Sequence, residues 1–159
     1  MTDQALNPRP ATKFQHLATG EYNPHLVWVS SVPTIAEMEA LAKRVLSTLP
    51  AQFRSGLADV VLQVEDFATP DQLQAVGLVD RWRLSGLYEG RPLPEQSVWD
   101  TSAIPPHIWL FRQPLLAEMQ HDGVALEKLI RHVVVHEAGH HFGFSDEEMH
   151  ALEQDASND

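Results

Sequence analysis

His136-Glu137-Ala138-Gly139-His140-His141-Phe142-Gly143-Phe144-Ser145-Asp146 sets two histidines four residues apart, with a glutamate directly after the first. On an α-helix such a pair lies about 40° apart around the axis and about 6 Å apart along it, so both imidazoles can converge on one ion. Glu137 falls between them, turned about 60° from His140. It is too far round to be an ideal third ligand, but near enough to reach a water at an open coordination position. Gly143 can take the left-handed conformation that ends a helix and turns the chain, which would bring Asp146 back toward the two histidines. Two imidazoles, one carboxylate and a water make the open tetrahedron of catalytic zinc, whereas a structural site closes all four positions with protein atoms, usually cysteines. The chain contains no cysteine.

Histidines at positions 1 and 5, glutamate at 2, glycine at 8 and a carboxylate at 11 form a joint pattern far more specific than the first five positions alone. The expected assignment is metal ligation by His136, His140 and Asp146, with Glu137 as general base. Glu147, Glu148 and His150 compete with Asp146 for the third place, because the path after Gly143 does not follow from spacing. His132, one turn before His136, suits a solvated surface or a hydrogen bond better than the ion. His141, turned about 100° from His140, cannot easily share its ion. His16, His25, His107 and His121 show no ligand spacing.

Upstream, Leu126, Leu129, Ile130, Val133, Val134 and Val135 put apolar residues on several faces of a helix expected from Val124 to about Phe142, which predicts burial on more than one side. A second long helix is expected after the capping box of Thr34 and Glu37. Its apolar stripe is Ile35, Met38, Leu41, Ala42, Val45, Leu46 and Leu49, and Pro50 ends it. Thr69, Pro70 and Gln72 cap a short helix over 70–76, and Pro114 opens another through Met119. Strands are expected at 25–31, 58–65, 84–88 and 107–112. The last has a free edge on one reading and lies inside the sheet on the other. Tyr88 reads as a packed ring with a satisfied hydroxyl rather than an active-site donor. The fold class is α+β: a small mixed β-sheet packed on two main helices, one carrying the His136–His140 pair. Residues 1–24, polar and with Pro8, Pro10 and Pro24, read as a flexible arm before a single domain over 25–155.

The segments Leu84–Gln96 (LSGLYEGRPLPEQ), His107–Leu115 (HIWLFRQPL) and Val133–Met149 (VVVHEAGHHFGFSDEEM) resemble the minimal zincins, small bacterial zinc metallopeptidases. The metal-site string is similar to the metzincin pattern HExxHxxGxxH, with aspartate in place of the last histidine. The resemblance implies one zinc ion per chain on His136, His140 and Asp146, with Glu137 catalytic. Only thirteen residues follow Asp146, which leaves little room for the methionine-bearing turn beneath the metal of full metzincins. Met149 lies too close to the third ligand to be assigned that role.

At 159 residues and 43% hydrophobic content the chain suits one globular domain. Its apolar runs fall far short of the roughly 20 residues that span a bilayer, so no membrane partner is expected. A formal net charge of -11 and scattered basic residues exclude a phosphate-binding stripe and argue against nucleic acid. The start lacks a basic and apolar leader, and cysteine is absent; a cytoplasmic location is therefore expected. The function expected is zinc-dependent hydrolysis of peptide bonds in a peptide or protein substrate. Its rivals are a zincin-fold regulator or adaptor with little or no peptidase activity, and a metal-dependent hydrolase of another substrate.

Overall fold

Thr34 caps the first helix, α1 (Ile35–Thr48), with both halves of a capping box: its side chain accepts from the Glu37 backbone N–H, and the Glu37 carboxylate accepts from the Thr34 N–H. Replacing Thr34 with alanine is expected to cost about 1 kcal/mol, measurable as a lower denaturation midpoint with an unchanged denaturant slope. The structure, a computed structural model, describes residues 32–99 and 104–157. They belong almost wholly to a unit over Pro33–Asp159. The strand expected at 25–31 and the arm boundary near residue 24 lie outside the described residues.

Pro50 ends α1 as its apolar stripe implied, but the chain re-enters a helix at once: α2 (Ala51–Gly56) starts directly after it. β1 (Val61–Glu65), α3 (Pro70–Ala75), β2 (Gly86–Glu89), β3 (His107–Phe111), α4 (Arg112–Asp122), α5 (Leu126–His141) and α6 (Asp146–Ser157) follow. Thr69 and Gln72 form the second capping box, at the start of α3.

The three strands make one mixed sheet in the order β1-β3-β2, with β1 parallel and β2 antiparallel to β3. β3 is therefore the interior strand, and the free-edge reading of it is corrected. Both of its hydrogen-bonding sides are occupied, and among the described residues β2 and β1 form the edges. Strand alternation then splits β3 between two cores. Ile108 and Leu110, with Leu62 and Val64 of β1, pack against Met38, Ala42 and Val45 of α1 and Ile130, Val134 and Ala138 of α5. Phe111, with Leu87 of β2 and Leu73 of α3, builds a smaller cluster to which Trp109 contributes. The α5 helix is thus buried along most of its length between α1 and the sheet, and His136 and His140 sit in its C-terminal half.

Candidate metal centre

Three ligand atoms, one each from His136, His140 and Asp146, all lie within 4.8 Å of one another. Asp146 Oδ1 is 3.1 Å from His136 Nε2 and 3.0 Å from His140 Nε2, so the carboxylate oxygen faces both imidazole nitrogens. The two rings stand nearly perpendicular, with centroids 4.9 Å apart.

Local chemistry explains how the chain returns. Gly143 has φ 91°, the left-handed region that glycine enters without a Cβ clash. The Phe144 N–H bonds to Gly139 O and the Gly143 N–H to His140 O, the paired bonds of a Schellman ending. The same turn aims Phe144 O at His140 Nδ1, 2.9 Å away. A carbonyl only accepts, so Nδ1 carries the proton and Nε2 keeps its lone pair for the shared point, the arrangement metal-ligating histidines adopt.

Ser145 then caps α6. Its backbone N–H donates to Glu148 Oε2, and its hydroxyl accepts from the Glu148 N–H. The Ser145 backbone N–H first, and its hydroxyl second, hold the Glu148 carboxyl below the usual carboxylate range, and the reciprocal cap places Asp146 first in the helix. Glu148 is thereby removed as a competing ligand. His150, one turn on, is exposed, with its ring centroid 6.5 Å from that of His136. The Ser-x-x-Glu signal was readable in the sequence, and so was the helix it opens; neither was anticipated. From α6, Met149 packs on Gly139: a Cβ on that glycine would lie 2.3 Å from its Sδ. Met149 therefore supports the back of the helix turn that bears His140.

Glu137, between the histidines, is only 8% exposed. Burial pushes its carboxyl up to about 7, opposed by the charge of His140 and by a hydrogen bond from the Tyr88 backbone N–H, while Asp146 adds a push in the same direction as burial. A divalent cation nearby would favour the carboxylate.

Of the remaining histidines, His16 and His25 lie outside the described residues. His132 is exposed, with its ring 6.3 Å from that of His136. His141 points away from the cluster, toward Tyr88 and Gly56, and forms part of the wall of a cavity of about 850 Å³ that contains none of His136, Glu137, His140 or Asp146. The Tyr88 hydroxyl is satisfied within the protein, by His141 and by Arg91 O.

The donor set fits zinc. It comprises two neutral-capable imidazoles, one oriented by a carbonyl, and a carboxylate that faces both, with no cysteine in the chain to close a structural site. A paired-histidine helix beneath a mixed sheet, with a buried glutamate between the histidines, defines the zincin class of protein. The family model of zincin-like metallopeptidases matches residues 57–156, well over half of the chain, and the protein belongs to that family. No curated protein matches the chain. No helix among the described residues is long and apolar enough to cross a membrane.

Proposed function

We propose that the protein is a zinc-dependent peptidase in which His136, His140 and Asp146 hold one zinc ion and Glu137 is the general base. The observation that carries this reading is the facing of Asp146 Oδ1 toward both Nε2 atoms, at 3.0 and 3.1 Å, beside a buried carboxylate on the same helix. Zinc, when bound, supplies Lewis-acid polarisation of a scissile carbonyl and lowers the pKa of a water. Glu137 takes a proton from the attacking water as its oxygen adds to the carbonyl carbon. It delivers that proton to the nitrogen as the C–N bond breaks. Burial keeps the Glu137 carboxylate largely from bulk water.

The substrate is an extended peptide that pairs with β2. The bond from Phe111 N to Ser85 O, with the antiparallel register, turns the Gly86 and Tyr88 peptide groups away from β3. Gly86 is buried, so the accessible grip starts at Tyr88. Few subsites follow, with weak sequence preference. The absence of cysteine supports a cytoplasmic setting.

Elemental analysis of the purified protein is expected to find one zinc per chain, lost in His136→Ala. A peptide library is expected to be cleaved by the zinc protein and spared after chelation, with cleavage restored on adding zinc. Zinc without cleavage would favour the regulator or adaptor reading; failure to bind zinc when it is supplied would overturn the assignment of all three ligands.

A further inference from the structure

Among the described side chains of α6, at residues 146–151, Met149 alone is buried. Around the α5 axis, Gly139 lies about 60° from His136 on one side, and Glu137 about 100° from it on the other. Met149 occupies the Gly139 side. A Cβ on Gly139 would lie 2.8 Å from Met149 Cε and closer still to its Sδ, so the thioether rests directly on the helix backbone. Glycine is among the residues a helix interior least favours, and Gly139 has no positive φ to require it. What it permits is the close approach of Met149. Met149 follows Asp146 by three residues, less than one helical turn, and its N–H donates to Ser145 O at 2.9 Å. The side chain that enters the interior and the carboxylate that faces the histidines therefore belong to the same first turn of α6.

We infer that Met149 and Gly139 are positioning residues, an anchor that seats α6 on α5 and so holds Asp146 where its carboxylate completes the metal site, an inference that rests on the reading of Asp146 as the third ligand. His136 and His140 need no such help, because both ride on α5 and its periodicity fixes their relation. Asp146 is different. Its side chain is 75% exposed, and the reciprocal bonds of Ser145 and Glu148 join residues of one turn to each other without tying that turn to α5. The bonds of the Schellman ending fix the chain as far as Phe144, two residues short of the ligand. Met149 seated on Gly139 supplies the restraint from the other side of Asp146. An unbranched thioether suits that task, since it can lie along a backbone surface that offers no side chain to interlock with.

The test uses the full chain and two readouts: the zinc dissociation constant, by competition with a chromophoric chelator, and hydrogen exchange of the residue-149 amide without metal. Gly139→Ala is expected to weaken zinc binding by about tenfold to a hundredfold, the range over which groups that orient metal ligands act, and to speed exchange at residue 149 by about tenfold. Met149→Ala removes the anchor without adding bulk to α5 and is expected to move both readouts the same way. Met149→Leu keeps the volume and is expected to preserve most of the affinity and the protection. In an Asp146→Ala background, Gly139→Ala is expected to change zinc affinity by less than about twofold, because the ligand it displaces is already gone. Unchanged zinc affinity in Met149→Ala, or a loss in Gly139→Ala of equal size with and without Asp146, would overturn the anchor. An unaltered protein that binds no zinc would instead count against the ligand assignment. Exchange needs no metal, so an unchanged rate at residue 149 in Met149→Ala would overturn the anchor in that case too.

Discussion

Glu137→Gln is expected to leave one zinc per chain and an unaltered fold while lowering kcat by about a hundredfold to ten-thousandfold, the range that general-base catalysis contributes. The substitution is nearly isosteric, so the amide fits the space that the carboxyl occupies beside Gly86 of β2. What disappears is the capacity to take up and release a proton. None of the three proposed ligands is altered, and the packing of α5 on β2 is unchanged in volume. Glu137 is 8% exposed, so removing its charge relieves a desolvation cost, and the variant is expected to melt no lower than the unaltered protein. A lower kcat with retained zinc and an equal or higher Tm is therefore the signature. Full activity in Glu137→Gln would remove Glu137 from the mechanism, and lost zinc would make it a ligand.

The parts of the site that local geometry controls were legible in the sequence. Helical periodicity alone puts His136, Glu137 and His140 in their observed relation, because four residues on a helix always subtend the same angle. Gly143 was readable as the turn for the same reason: few other residues reach a φ of 91° without strain. The choice among Asp146, Glu147, Glu148 and His150 was harder, since it depends on where the next helix begins. Ser145 and Glu148 decide that by capping each other, a signal that is local and was overlooked.

Non-local relations were not legible at all. Whether β3 is an edge or an interior strand depends on β1 and β2 pairing on either side of it, and alternation within His107–Phe111 is the same in both cases. The contacts of His141 reach across 53 residues to Tyr88 and 85 to Gly56. Spacing excluded His141 from the ion but named no partner for it. α2 has no buried residue, so no apolar stripe announced it, although its last carbonyl turns out to hold His141.

Gly86→Ala is expected to cost on the order of 2 kcal/mol, a Tm lower by roughly 4–8 °C, and most of the activity as well. A Cβ at this position would lie 2.2 Å from Val133 Cγ1 and 3.2 Å from Glu137 Oε1. Val133 cannot step aside easily: it is 7% exposed, and a β-branched side chain on a helix has essentially one rotamer. The relief must come from β2 rising off α5. That movement also shifts the strand that abuts Glu137 Oε1 at Gly86, so a defect in packing becomes a defect in the base. Backbone freedom is not the reason for glycine here, since Gly86 is absent from the residues with positive φ; close approach is. A smaller partner should therefore rescue the larger one. The double variant Gly86→Ala with Val133→Ala leaves room for the new methyl and is expected to recover activity and part of the stability lost in the single variant, a non-additive cycle measurable by denaturation and by kcat. Strict additivity of the two substitutions would show that the strand and helix are not in the contact described.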